Sequence, residues 1–107
     1  MLITTTNEIT GKEIKSYHGL VSGDAIVGAH VFKDFFAGFR DFFGGRSRAY
    51  EKTLSEARDE ALKDLQERAE NIGADAVVGI VFDSQVMGKK GSMIAVSATG
   101  TAVKLGL

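Results

Sequence analysis

The sequence predicts an α+β fold of two layers, a small sheet covered on one face by helices. Three observations carry this prediction. Strand-like segments lie towards both ends of the 107-residue chain, two helical periodicities fall between them, and no repeat or linker interrupts the order. Strands and helices segregated along a chain in this way favour helices packed against one side of a sheet. At 11.4 kDa the expectation is a single domain over residues 1–107.

Residues 2–6 (LITTT) read as a short β-branched strand ended by Asn7-Glu8. Residues 12–28 mix β-formers with Gly19, Gly23 and Gly28 and read as an extended, bent strand pair. A shorter, Phe-rich helix is expected from Val31 to Phe43. There Phe32, Phe35, Phe36, Phe39, Phe42 and Phe43 fall on one helical arc roughly 120° wide. Lys33, Asp34, Arg40 and Asp41 point elsewhere, and Gly44-Gly45 ends the segment.

A long helix follows from Ser47 to Asn71, without internal Gly or Pro. Its apolar stripe is Tyr50, Leu54, Ala57, Ala61, Leu65, Ala69 and Ile72, and its alanines allow close approach of a sheet. Gly73 stands where a left-handed helix end is wanted. The apolar run 76–82 (AVVGIVF) reads as a central strand covered on both faces. Residues 87–92 (MGKKGS) supply hairpin-turn chemistry, after which Ile94, Val96 and Ala98 alternate with Ala95, Ser97 and Thr99. The apolar phase flips after Gly100 to Val103 and Leu105, which suggests a β-bulge in the last strand.

Composition excludes several functions. Lys and Arg number 13 against 14 Asp and Glu, so the net charge of −1 gives no global attraction to nucleic acid or anionic membrane. Cysteine is absent, which removes disulfides, thiolate metal sites and cysteine nucleophiles. The segment MLITTTNEI lacks the pattern of a signal peptide, and no apolar stretch approaches the roughly 18 residues of a membrane span. A cytoplasmic protein that inserts in no membrane is expected.

Six aromatic rings on one helix exceed what so small a domain can hide, so a partner surface is expected, most simply another copy of the chain. Phe32, Phe35, Phe36, Phe39, Phe42 and Phe43 would form that interface, and Arg40 and Asp41 would set its register against Arg46 or Glu51 of a neighbour. A ligand is best sought at the junction Gly44-Gly45-Arg46-Ser47, together with Arg48 and Tyr50. Free N–H groups, the positive helix end and two guanidinium groups suit a phosphate or carboxylate there. The plainer alternative is that Gly44 ends one helix and Ser47 caps the next. His18 and His30 lie 12 residues apart, too far for a paired zinc motif, which leaves His18 a weak metal candidate. No GxSxG or HExxH motif is present, and no catalytic residue or cofactor is identified.

The stretches SGDAIVGAHVFKDFFAGFRDFFGGRSRAYE, NIGADAVVGIVFD and GSMIAVSATGTAVK resemble the YbjQ-like family of small bacterial and archaeal proteins, over about Ile3 to Lys104. The resemblance implies a dodecin-like β-α-β-β core with an antiparallel sheet and assembly into homopentameric rings. It also implies a heavy-metal-binding label without an established activity. Where some relatives carry cysteine, this chain has His18 within Tyr17-His18-Gly19. Three functions remain open: a ring protein binding a small ligand or anion at the subunit boundary, a metal-binding protein, and an enzyme with a site between subunits.

Overall fold

The computed structural model describes residues 1–27, 48–87 and 93–106, with the side chains of residues 48–50 left out. The expected Phe-rich helix, the junction Gly44–Ser47 and the hairpin turn at 88–92 lie outside the described residues. Four strands and one helix are described: β1 (Leu2–Ile3), β2 (Ile14–Val27), α1 (Arg48–Asn71), β3 (Ala76–Met87) and β4 (Met93–Leu105). They form an α+β unit with a four-stranded sheet in the order β1-β3-β4-β2. The sheet is mixed rather than antiparallel, because β1 runs parallel to β3 while β3–β4 and β4–β2 are antiparallel. The parallel pair arises because the chain reaches β3 only after crossing the sheet in α1.

α1 forms where its periodicity places it. Glu51 in the first turn and Arg68 in the last oppose the helix dipole favourably. The helix ends in a Schellman motif: the N–H of Ala74 donates to the carbonyl of Ala69 (3.1 Å) and that of Gly73 to Glu70 (3.0 Å). Gly73 takes a φ of 78°, which a side chain would resist. Ala57, Ala61, Leu65 and Ala69 are buried as expected, whereas Ile72 is half exposed beyond the last turn.

These residues pack on Val21, Val77, Ile80, Ile94, Val96, Ala98 and Ala102 to form the main core. Contact is closest at Gly23, where a Cβ would collide with the backbone of Ala61 and Leu65. Gly23 is therefore not a turn. The expected strand pair over 12–28 is one long strand, irregular only between Ile14 and Ser16 and between Tyr17 and Gly19.

The bulge expected in the last strand sits in β3. Val78 pairs with Thr101 and Val81 with Thr99, so Gly79 and Ile80 face Gly100 alone. Gly79 takes a φ of 63° to make the extra residue fit. β4 keeps its phase through Ala102, and Val103 is buried on the opposite face with Ala76 and Val78, beneath Ile9, Ile14 and Leu105. The start of β3 is thus covered on both faces, but Val81 is not.

Candidate functional site

The strand registers decide which side chains look away from α1. Val21, Gly23 and Ala25 pair with Gly100, Ala98 and Val96 on the helix side. Tyr17, Leu20 and Ile26, opposite Val103, Thr101 and Ala95, therefore lie on the outer face. Val81 joins them through its pairing with Thr99. Leu20 is 78% exposed, Tyr17 70%, Ile26 65% and Val81 64%. Between them lie the small side chains of Ser22, Ser97, Thr99 and Thr101. Large apolar groups spread over one sheet face, with short polar ones between, are chemically suited to flat packing against protein.

One polar chain crosses this region. The Ser97 hydroxyl donates to Asp24 Oδ1 (2.8 Å), and the Asp24 N–H donates to Asp64 Oδ2 of α1 (3.0 Å). Arg68 pairs with Asp64 at 3.2 Å and reaches Asp24 at 3.8 Å. These groups are substantially exposed, so the ion pairs contribute little. Their effect is to tie the sheet edge to the helix. Beside them an open groove of about 530 Å³ between β2 and α1 is edged by Asp24, Glu56, Asp59 and Glu60. Among the described residues, its charged lining is acidic.

His18 lies on β2 beside its second irregularity. The Asp75 carboxylate is held below its usual range, first by the N–H of Leu105 (2.9 Å) and then by Lys104 Nζ (3.3 Å), with a smaller contribution from His18. Lys104 and the backbone already occupy that carboxylate. Among the described residues, no group of three His, Asp or Glu side chains could hold a metal ion.

Of the residues singled out in the sequence, the structure describes His18 with its side chain, and Arg48 and Tyr50 only as the opening turn of α1. Gly44, Gly45, Arg46, Ser47, Arg40, Asp41 and the six interface phenylalanines lie outside the described residues. Periodicity missed Leu20, Ile26 and Val81, because exposure there depends on which strands stand at the sheet edge. The available signal was the unbroken apolar run 76–82, which places Val81 on the face away from α1 as well.

A family model described as "Putative heavy-metal-binding" matches residues 1–106. The chain belongs to this YbjQ family. Among solved structures, it is similar to a protein of unknown function of the DUF74 family from Pediococcus pentosaceus. The two share 20% identity at a TM-score of 0.69, with 99% of this chain and 98% of that one covered. At that identity the likeness speaks for the fold alone. The metal implied by the YbjQ family description finds a poor donor set here. The chain has no cysteine to offer a soft metal, and among the described residues His18 belongs to no group of three or more potential ligands. No helix among the described residues is long and apolar enough to cross a membrane.

Proposed function

We propose that the protein is the subunit of a homo-oligomeric ring that holds a small anion at its subunit boundary. The observation that carries this reading is the part of the outer sheet face that no described residue covers, with Leu20, Tyr17, Ile26 and Val81 each more than half exposed. Burying such side chains contributes roughly 1.5–3 kcal/mol apiece, enough together to drive association. The phenylalanine stripe between Phe32 and Phe43 supports the same conclusion from sequence. A ring of five follows from the family resemblance, and the Gly44–Tyr50 junction, with Arg46 and Arg48, is its anion site.

Native mass spectrometry of gently purified, untagged protein tests this. A pentamer appears near 57 kDa, about five times the 11.4 kDa chain, and an anion appears as mass lost on denaturation. A monomer refutes the assembly. Phosphate-induced thermal stabilisation that is unchanged by Arg46→Ala with Arg48→Ala refutes the anion site.

Metal binding is the second reading, favoured by the family description and centred on His18. Calorimetry with zinc, copper and nickel decides it: heat that disappears with His18→Ala supports the reading, and no heat dismisses it.

A further inference from the structure

The two sides of the sheet are finished differently from its middle. β1 pairs only with Ala76 and Val77. Beyond it the N-terminal segment continues along β3 through Gly79 N–H to Thr6 (2.8 Å) and Ile80 N–H to Thr4 (3.1 Å). From Val81 to Met87, β3 pairs regularly with β4, yet no described strand lies on its other side. Among the described residues this stretch has little of the usual edge protection. It contains no proline or lysine, Asp83 is its sole charge, and its register with β4 is unbroken. Val86 is 58% exposed there, on the side facing away from Val81.

The opposite edge is β2. The Asp64 carboxylate covers its backbone at Asp24, leaving Leu20–Ser22 without a described partner strand. Tyr17 and Leu20 stand exposed beside that opening.

We infer that the Val81–Met87 edge of one copy adds as a strand to the Leu20–Ser22 edge of β2 in the next, so that the sheet runs continuously from subunit to subunit. The inference rests on the assembly proposed above and specifies its seam. A second copy is the fitting occupant because each chain carries both halves of the joint. A foreign peptide would fill one edge and leave the other bare. Pairing β3 with the partner subunit's β3 would likewise leave Leu20 and Tyr17 uncovered, whereas pairing β3 with β2 brings Val81 towards Leu20 across the seam. Joining unlike edges is a heterologous contact, which closes into a ring when the rotation permits.

The absence of cysteine makes the test clean, because any disulfide reports only introduced residues. Four exposed or half-exposed positions on the outer face are changed one at a time, L20C and S22C on β2, V81C and D83C on β3, with E70C on the solvent side of α1 as a collision control. Paired strands hold Cα atoms within the roughly 4.4–6.8 Å that a disulfide spans. Under mild oxidation, mixing a β2 variant with a β3 variant is expected to give a cross-linked dimer. At least one combination should exceed either variant alone, and E70C, by about tenfold or more, because the joint replaces dilute encounter by a high local concentration. Self-linking of V81C or D83C at that level would instead establish a two-fold β3 joint and overturn the inference. No excess cross-link from any mixture, while native mass spectrometry still shows an oligomer, overturns the seam and leaves the assembly standing. A monomer in native mass spectrometry removes both.

Discussion

The tightest joint in the molecule is the crossing of α1 over Gly23, and Gly23→Ala should break it. An added Cβ would stand 2.8 Å from the Leu65 Cα and nearer still to the Leu65 nitrogen and the Ala61 carbonyl oxygen. Ordinary contact begins near 3.4 Å, so α1 must withdraw by about 0.6 Å for the first atom and about 1 Å for the other two. All three are backbone atoms of a helix, and no rotamer change relieves the collision. A gap of about 0.5–1 Å forfeits a quarter to a half of each dispersion contact beneath it. That loss falls on the fully buried Ala61, Leu65 and Ala69. The expected cost is about 3 kcal/mol, the upper part of the overpacking range. For a domain of this size it corresponds to a fall in Tm of roughly 12–24 °C. Thermal and urea unfolding followed by circular dichroism, at one protein concentration throughout, measure it. A Gly23→Ala protein within about 0.5 kcal/mol of the parent, the scale of an ordinary surface change, would refute the described helix–sheet approach.

Three further outcomes follow from the same structure. Gly100→Ala meets side-chain atoms first, Val77 Cγ1 at 2.6 Å and Ile80 Cγ1 at 3.0 Å, which can rotate. Its cost should be about 1–2 kcal/mol, and equality with Gly23→Ala in urea unfolding would contradict that distinction. Gly73→Ala forces a Cβ into a φ of 78° and should cost about 1–2 kcal/mol, with Gly73→Asn less harmful; an unchanged Tm would argue against the Schellman end. Asp75 has a folded pKa below its ordinary 3.8, so its stabilisation is fully present above about pH 4 and is lost as pH falls through the lower folded value. Urea unfolding from pH 7 to 2 should show Asp75→Asn less stable than the parent above pH 4, with the gap closing below it. A constant gap would mean that titration of Asp75 is not linked to folding.

α1 was legible because its signals are local. A buried stripe at helical spacing and a glycine at the far end dictate a helix wherever it packs. The Ile94–Ala98 alternation was legible for the same reason. β1 was legible as a strand within residues 2–6, but its parallel pairing with β3, far along the chain, was not. Asp83-Ser84-Gln85 look like the end of a strand, yet pairing with β4 carries β3 to Met87. Gly23 looked like a bend, and its purpose emerges only once α1 lies on it. Gly100 correctly marked a disturbed register, but the extra residue belongs to the strand opposite, which no reading of one strand can assign. The candidate surface was less legible still. Leu20 and Ile26 look like ordinary strand residues until the strand order shows that nothing described covers their face.

The strand made last stands in the middle. β4 pairs with both β2 and β3, and its register joins Ile14 to Leu105 and Val27 to Ile94. During synthesis, β2 and α1 emerge long before the strand that will hold them together, and their apolar faces must wait for it. Closing such long loops slows folding, so the sheet cannot be completed until residues 93–105 are in place. The same order makes the molecule intolerant of premature termination. A chain broken before Met93 would lose the centre of its sheet rather than an edge, and β2 and β3 would share only α1 with no strand between them.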